Sequence, residues 1–354
     1  MSSWRDNLRK IEPYVPGEQP DLADMIKLNT NENPYPPAPG VRKVLDRYDE
    51  SMLRLYPDPN SSLLVQAVAD YNKVDADQVF VGVGSDDVLA IAFMTFFNSE
   101  EPILFPDITY SFYDVWAELF KIPYRQMPLN DAFEVIPSDY YGKNGGVVLA
   151  NPNAPTGVAQ SLIALEDIIL HNQDVVVIID EAYVDFSTET ALRLIDKYEN
   201  VLIVQTYSKS RSLAGMRIGH AMGNSELIAA MNDVRFSFNS YPMTRLSVEI
   251  GAEAIRDVSY FEETKKKIIA TREWTKQELM RLGFSFGDSM TNFIFASHYR
   301  VPAEVIFEKL KEKHIFVRHF SKERICNYLR ISIGTDEEMK RLIEEMEAII
   351  GSEK

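Results

Sequence analysis

Short apolar runs alternate with helical patterns along most of the chain. The run Gly146–Ala150 is followed by a helical pattern near 161–170, the run Val175–Ile179, a helical pattern near 190–197 and the run Val201–Gln205. Continuous runs rich in β-branched residues, separated by helices, are typical of a parallel sheet whose two faces are both covered. The pattern therefore predicts an α/β fold with a mostly parallel central sheet flanked by helices.

The chain divides into three parts by pattern. Prolines and glycines interrupt residues 1–45, which we expect to form an N-terminal arm. Residues 46–250 carry the alternating pattern and form the predicted large domain. In residues 251–354 a long charged helix near 259–282 precedes short strands and helices. This last part is predicted to be a small α+β domain.

Composition narrows the class of partner. The formal net charge of −16 and the pI of about 4.9 argue against nucleic acid or an anionic membrane surface as partner. The single cysteine, Cys326, excludes an intramolecular disulfide and a zinc site built from cysteines. The clearest apolar stretch, Leu89–Phe97, is too short to span a bilayer. We therefore expect a cytoplasmic protein that binds small molecules and has no metal site.

Polar residues that could bind a ligand or take part in catalysis follow the apolar runs. In an open parallel sheet, ligands bind beyond the carboxyl ends of the strands, and right-handed connections bring successive strand ends to one edge. Four strand ends would then build one pocket from residues that are far apart in the chain. The residues concerned are Gly84, Ser85, Asp86, Asn153, Asp180, Tyr183, Ser208 and Lys209.

These residue types match the needs of a pyridoxal phosphate (PLP) site. PLP chemistry needs a lysine amine that combines with the aldehyde, and Lys209 is the candidate. It also needs an acid beside the pyridine nitrogen, a role that suits Asp180 at a buried strand end. Tyr183 could stabilise the ring oxygen, and Tyr110 could stack on the ring.

A phosphate site is predicted at the same edge. Residues 84–86 at a helix start offer backbone N–H groups and the positive end of the helix dipole. Ser208 adds a hydroxyl and Arg217 a guanidinium group. Taken singly, Lys209 is more often a solvated loop lysine, and Asp180 with Glu181 could be loop acids or metal ligands. The order of all these residues along the chain favours PLP.

The chain resembles the fold-type I PLP-dependent aminotransferases from end to end. Residues 206–219, around Lys209, carry the motif typical of that superfamily. Within it, the chain is similar to the histidinol-phosphate aminotransferase family, on the four segments 13–17, 28–34, 55–58 and 329–335. The resemblance implies transamination between histidinol phosphate and 2-oxoglutarate, with Lys209, Asp180 and Tyr183 as catalytic residues.

The resemblance also implies a homodimer whose active sites lie at the subunit interface. Tyr56 would reach the PLP phosphate of the neighbouring subunit. Arg330 would bind the α-carboxylate of glutamate and 2-oxoglutarate. Tyr14 and Arg318 would help to accommodate the distal phosphate of histidinol phosphate.

One position departs from the family pattern. The family usually has Asn immediately before the Pro-Thr-Gly segment, where its amide donates to the PLP ring oxygen, and this chain has Ala154. We expect that Tyr183 acts alone on that oxygen, or that Asn153 or a water molecule substitutes.

Three other functions stay open at this stage. An aromatic amino-acid aminotransferase and a threonine-phosphate decarboxylase would share the architecture and the PLP site. A non-catalytic α/β binding protein would share the fold alone, without need of the Lys209 and Asp180 pair.

Overall fold

The computed structural model describes residues 3–15, 17–20, 22, 24–187 and 189–353. Pro16, within the first signature segment, lies outside the described residues. Strands and helices are numbered in chain order. The strands are β1 (Ile26–Lys27), β2 (Val79–Gly82), β3 (Ile103–Pro106), β4 (Tyr124–Met127), β5 (Gly146–Ala150), β6 (Val177–Asp180), β7 (Val201–Thr206), β8 (Gly219–Gly223), β9 (Phe284–Phe286), β10 (Phe293–His298), β11 (Ile315–Phe316), β12 (Arg318–His319) and β13 (Leu329–Ser332).

The helices account for most of the remaining ordered elements, together with several short 3-10 turns. They are α1 (Pro39–Arg47), α2 (Ser62–Asn72), α3 (Gly84–Phe96), α4 (Tyr113–Phe120), α5 (Leu162–Leu170), α6 (Ser225–Phe238), α7 (Arg245–Arg256), α8 (Val258–Arg281), α9 (Ala303–Glu312) and α10 (Asp336–Ser352). The pattern near 190–197 forms a 3-10 helix, Ala191–Asp196, and not an α-helix.

A seven-stranded sheet in the order β2-β8-β7-β6-β5-β3-β4 forms the centre of the molecule. Strand β8 runs antiparallel to both of its neighbours, and the other pairs are parallel. The predicted mostly parallel central sheet is therefore confirmed. Strand β8 was not predicted, because its sequence from Gly219 to Gly223 has no β-branched residue.

Two apolar clusters cover the two faces of this sheet. Successive side chains of a strand point to opposite faces, so Val147 packs in one cluster and Val148 in the other. Helices α1, α2, α5 and α7 contribute to the first cluster, and α3, α4 and α6 to the second. Burial on both faces explains why β5, β6 and β7 are almost continuously apolar.

A second, four-stranded antiparallel sheet has the order β12-β13-β10-β9 and packs with α8, α9 and α10 around its own apolar cluster. The N-terminal arm is attached to this unit, because β1 pairs in parallel with β11. Helix α1, however, packs with the large sheet. The proposed division at residue 250 falls inside α7, and the domain boundaries stay predictions.

The chain changes its strand partner between Phe316 and Arg318. Phe316 ends β11 beside the arm, whereas Arg318 begins β12 in the four-stranded sheet. The buried side chain of Val317 packs in the core of the small unit at this change of partner. As a result Arg318 reaches the edge of the large sheet, where a cavity opens.

The longest helix, α8, has 24 residues. It carries many charged side chains and packs across the small unit through a minority of buried positions. In the part of the chain that the structure describes, none of the helices combines the length and the apolar character that crossing a bilayer requires.

His220 in β8 is a buried titratable group that makes the stability of the protein sensitive to acid. Neither of its ring nitrogens has a hydrogen-bond partner among the described residues, and burial lowers its pKa to about 3. In the unfolded chain a histidine binds a proton near pH 6.5. The unfolded state therefore binds more protons than the folded state between these pH values, and stability falls as the pH falls.

We expect His220→Phe to weaken this acid sensitivity while keeping the ring shape. On going from about pH 7.5 to about pH 5, the wild type should lose about 2 kcal/mol more unfolding free energy than the variant. Urea unfolding at the two pH values measures the difference. Equal losses in the two proteins would contradict this assignment.

Candidate active site

Two adjoining cavities lie at the carboxyl edge of the central sheet. The inner cavity has a volume of about 170 Å³, and the outer cavity, of about 700 Å³, extends towards the small unit. The two cavities share several lining residues, so a ligand could occupy both. The shared residues are Thr30, Asp86, Tyr110, Ala154, Tyr183 and Lys209.

The register of the parallel strands explains this convergence. Ala150, Asp180 and Val204 are aligned across β5, β6 and β7. The segments that follow these strands therefore leave the sheet at the same level. Lys209, Tyr183 and Ala154 reach one cavity although their positions in the sequence are far apart.

Lys209 is half-buried and faces the inner cavity. Its Nζ donates a hydrogen bond to the carbonyl oxygen of Thr30, at 3.3 Å, and lies 5.8 Å from the centroid of the Tyr183 ring. The backbone around it is held by Asn33, whose Nδ2 donates to the carbonyl oxygens of Lys209 and Ser210 at 3.0 Å each. The arm thus fixes the lysine loop, a contact that strand-end reasoning could not find.

Asp180 ends β6 and is buried. Its carboxylate accepts hydrogen bonds from the hydroxyl of Tyr113, at 2.8 Å, and from the backbone N–H of Ala182, at 3.2 Å. Burial raises its pKa to about 6, although both hydrogen bonds act in the opposite direction. No salt bridge between described residues includes Asp180. A buried carboxylate in this state is stabilised by a cationic ligand group.

The inner cavity ends at the start of α3. Gly84 has a φ of 84°, and a Cβ atom there would lie 2.6 Å from Nη2 of Arg217. A Cβ atom on Gly219 would lie 2.4 Å from the backbone nitrogen of Ser85. Glycine at both positions lets β8, Arg217 and the first turn of α3 approach closely. The free N–H groups of that turn and the helix dipole favour an anion.

Polar side chains surround this helix start. Arg217 pairs with Asp86 through Nη2 and Oδ2 at 2.8 Å, and the hydroxyl of Tyr110 donates to the other carboxylate oxygen at 2.7 Å. Ser208 is buried, and its Oγ accepts from the hydroxyl of Thr206 at 3.1 Å. Together these groups form a cup with N–H, hydroxyl and guanidinium donors, which suits a phosphate.

Two of the predicted cofactor-binding residues do not line the cavities of their own chain. The amide of Asn153 is already paired, donating to the carbonyl oxygen of Ile108 in the segment after β3 at 2.9 Å, and to the hydroxyl of Thr156 in its own loop at 3.0 Å. Its placement gives no support to the cofactor contact that was expected of it. Tyr56 is 79% exposed and packs against Tyr241 instead.

The outer cavity carries cationic groups in an acidic protein. Arg330 donates from Nη2 to the carbonyl oxygen of Asn29 at 2.9 Å, and its Nε has no partner among the described residues. Burial lowers the pKa of Arg330. Arg318 lines the same cavity, as does Tyr14, whose ring stacks on Phe112 with centroids 4.3 Å apart. These groups can bind anionic parts of a substrate.

The residues of the inner cavity fit PLP. The amine of Lys209 suits the aldehyde, the buried carboxylate of Asp180 suits a protonated pyridine nitrogen, and the cup at the start of α3 suits the phosphate. The glycines at this cup leave room that side chains would fill. Tyr113, which holds Asp180, was not predicted, because it is the first residue of α4 and does not follow a strand end.

Several curated relatives with about half of their residues identical are histidinol-phosphate aminotransferases. The histidinol-phosphate aminotransferase of Lactococcus lactis subsp. cremoris (strain MG1363) is 51% identical over 342 residues, which cover 97% of this chain and 96% of the relative. The histidinol-phosphate aminotransferase of Acinetobacter baylyi is 49% identical over 356 residues, which cover 99% and 98%. The resemblance to the histidinol-phosphate aminotransferases is therefore confirmed over nearly the full length.

Solved structures show the same fold. The histidinol-phosphate aminotransferase of Sinorhizobium meliloti, solved in complex with pyridoxal-5'-phosphate, superposes with a TM-score of 0.85 at 24% identity, covering 93% of this chain and 92% of that one. The family model described as aminotransferase class I and II matches residues 23–346. The chain belongs to the class I and II aminotransferase family.

Proposed function

We propose that this protein is a PLP-dependent histidinol-phosphate aminotransferase of histidine biosynthesis. It exchanges an amino group between histidinol phosphate and 2-oxoglutarate, giving imidazole acetol phosphate and glutamate. The observation that carries the proposal is the pair of joined cavities. Lys209 and the buried carboxylate of Asp180 line the inner cavity, and two arginines line the outer one. The names of the relatives with about half of their residues identical support the choice of substrate.

Bound PLP supplies an aldehyde that combines with amines and a protonated ring that withdraws electrons from the substrate's Cα. Lys209 would hold PLP through this aldehyde between turnovers. With substrate bound, the Nζ of Lys209 would serve as the base that takes the proton from Cα and as the acid that returns it. Its position between Thr30 and Tyr183 leaves Nζ at the junction of the two cavities.

Asp180 and Tyr183 adjust the charge of the ring. The carboxylate of Asp180, held by Tyr113, keeps a proton on the pyridine nitrogen because the ion pair lies in a buried site. Tyr183 lines both cavities, and its phenol would donate to the ring oxygen of bound PLP. Tyr110 covers the ring face, and its hydroxyl is anchored to Asp86.

The phosphate is bound where α3 begins. The phosphate would be held by the N–H groups of Gly84, Ser85 and Asp86, by the hydroxyl of Ser208 and by the guanidinium of Arg217. A phosphate there competes with the carboxylate of Asp86 for Arg217, because the two now pair at 2.8 Å. We infer that Arg217 exchanges this partner for the phosphate.

The two arginines of the outer cavity bind different anionic groups of the substrates. Arg330 binds the α-carboxylate of glutamate or 2-oxoglutarate through the part of its guanidinium that Asn29 leaves free. Arg318, with Tyr14, binds the distal phosphate of histidinol phosphate. Both arginines come from the small sheet, so substrate binding joins it to the PLP-binding edge.

A homodimer in the cytoplasm is part of the proposal. Tyr56 lies outside the cavities of its own chain, in an exposed region where it packs on Tyr241, and Leu53 and Phe238, each three residues away from one of the two in the sequence, are exposed as well. A second copy that covers this region would carry each Tyr56 to the PLP phosphate of its neighbour. Such exposed apolar residues are common at subunit interfaces.

We expect Lys209→Ala to abolish turnover and the covalent attachment of PLP. Borohydride treatment of PLP-loaded wild type should bleach its visible absorbance and leave the reduced cofactor on the peptide that contains Lys209, measured by mass spectrometry. Lys197→Ala, at an exposed lysine paired with Glu166, is the control and should behave as wild type. Wild-type turnover by Lys209→Ala, or label on another lysine, would contradict the assignment.

The proposed dimer predicts complementation between two inactive variants. A mixture of Lys209→Ala and Tyr56→Ala subunits, after subunit exchange, should regain roughly a quarter of wild-type activity, because half of the dimers are hybrids and each hybrid has one intact site. Assays of formation of imidazole acetol phosphate before and after exchange measure the gain. A mixture that is no more active than its components would exclude a contribution of Tyr56 to the neighbouring site.

Asp180→Asn should raise the stability of the cofactor-free protein and weaken its binding of PLP. Without cofactor, the raised pKa of about 6 means that Asp180 binds a proton more readily in the folded than in the unfolded state. Its charge therefore costs stability as the pH rises above about 4, and the cost is fully present above about 6. The cofactor-free variant should be more stable by about 3 kcal/mol at about pH 7.5, and by about half as much at about pH 5.

The same variant should lose most of its affinity for PLP and most of its rate. Urea unfolding of cofactor-free protein and equilibrium dialysis with PLP measure the two effects. Unchanged PLP affinity in Asp180→Asn would exclude its pairing with the ring nitrogen.

A further inference from the structure

Asn31 is a buried polar residue that the reaction described so far does not use. It is 1% exposed and has a φ of 57°, in the left-handed region that Asn adopts more readily than most residues. It follows β1 in the arm, between the two sheets. Its backbone N–H donates to the hydroxyl oxygen of Ser332 at 2.9 Å, and its carbonyl oxygen accepts from Nδ2 of Asn292 at 3.0 Å.

These contacts fix which way the side-chain amide of Asn31 points. The Oγ of Ser332 accepts the backbone N–H of Asn31, so its one hydrogen is available for the side-chain oxygen Oδ1, which lies 3.0 Å away. A buried hydroxyl with an acceptor in reach donates to it. The amide Nδ2 is therefore left facing the phenol oxygen of Tyr183, at 2.9 Å.

The direction of this bond determines what Tyr183 can do. Asn31 donates through Nδ2, so the phenol oxygen of Tyr183 accepts and its own hydrogen points elsewhere. Among the described residues the phenol has no other hydrogen-bond partner. Tyr183 lines the inner cavity, and its hydrogen is free to be donated there.

The described residues next to Tyr183 in the inner cavity offer no second side-chain donor to a ligand on this side. Ala154 and Ala182 pack against Tyr183, and Pro152 lines the same cavity. The amide of Asn153, next to Ala154, is committed to Ile108 and Thr156. On this side of the cavity the phenol is the side-chain donor, so whatever orients it has a direct effect on the ligand.

We propose that Asn31 is a positioning residue, which holds the phenol of Tyr183 with its hydrogen directed at the ring oxygen of PLP. The inference rests on the proposed PLP-dependent function and names a residue of the arm as part of it. Donated bonds run in sequence from Ser332 to Asn31, from Asn31 to Tyr183 and from Tyr183 to the ligand. Each donation strengthens the next, because a hydroxyl that accepts a hydrogen bond is a better donor.

The same chain of bonds connects the two sheets. Ser332 ends β13 and Asn292 precedes β10 in the small unit, whereas Tyr183 follows β6 in the central sheet. Asn31 therefore contacts both units through bonds that are all buried. The donor that acts on the ligand is thus correctly oriented only when the small unit and the central sheet are packed together.

Two variants test this role. Asn31→Gly removes the donor and keeps a residue that adopts positive φ. Asn31→Asp replaces the donor by an acceptor of the same shape, which draws the phenol hydrogen away from the cavity. The readouts are the pH midpoint of the visible absorbance change of PLP-loaded protein and the fraction of PLP kept after dialysis.

The donor from Tyr183 stabilises negative charge on the ring oxygen, so losing it makes the bound PLP system harder to deprotonate. The midpoint should rise by about half a unit in Asn31→Gly and by about one unit or more in Asn31→Asp. In Tyr183→Phe the midpoint should rise as well, and adding Asn31→Gly to it should cause no further rise, because the phenol is already gone. Retained PLP should fall in the order wild type, Asn31→Gly, Asn31→Asp.

Controls separate this role from folding and from the proposed function. Asn172→Asp changes a buried amide far from the cavities, and it should lower the melting temperature without moving the midpoint. An unchanged midpoint in Asn31→Asp, or an equal further rise in the Tyr183→Phe background, would overturn the positioning role while leaving the PLP function intact. Failure of wild type to bind PLP covalently would overturn both proposals.

Discussion

The buried carboxylate of Asp180 is the constraint around which the active site is organised. It ends β6 in the middle of the central sheet, and burial raises its pKa to about 6 despite two donated hydrogen bonds. Such a group costs free energy in the cofactor-free protein and is stabilised by a bound cation. The buried charge therefore lowers the stability of the cofactor-free protein, and a ligand with a protonated ring can offset this cost by pairing with the carboxylate. Tyr113 from α4 keeps the carboxylate in place.

The remaining parts of the site are arranged around that carboxylate by the fold. Parallel strands deliver Lys209 and Tyr183 to the same edge, and the glycines at positions 84 and 219 let the start of α3 approach Arg217. The arm connects this edge to the small sheet through Asn31 and Asn33. Arg318 and Arg330, the arginines of the outer cavity, come from the small sheet. The proposed catalysis therefore depends on the packing of two units that have separate apolar cores.

Much of this could be predicted from the sequence. Strand ends in a parallel sheet identify Asp180 and Lys209 because the rule concerns the backbone, and apolar runs show where strands end. Strand β8 was missed because glycine, histidine and alanine give no strand signal, although its antiparallel course brings Arg217 to the cavity.

Other contacts depend on side-chain direction, which no pattern along the chain reports. Tyr113 holds Asp180 from the first residue of α4, and the amide of Asn153 turns to the segment after β3 although Asn153 lies at a strand end. The change of sheet between Phe316 and Arg318 likewise follows from tertiary pairing and not from residue preference.

The most direct measurement follows the amino nitrogen itself. Purified protein loaded with PLP would be given histidinol phosphate with an isotopically labelled amino group, together with unlabelled 2-oxoglutarate, and the products would be analysed by mass spectrometry. We expect labelled glutamate and imidazole acetol phosphate in equal amounts. Glutamate without label, or no glutamate at all from protein that has bound PLP, would contradict it.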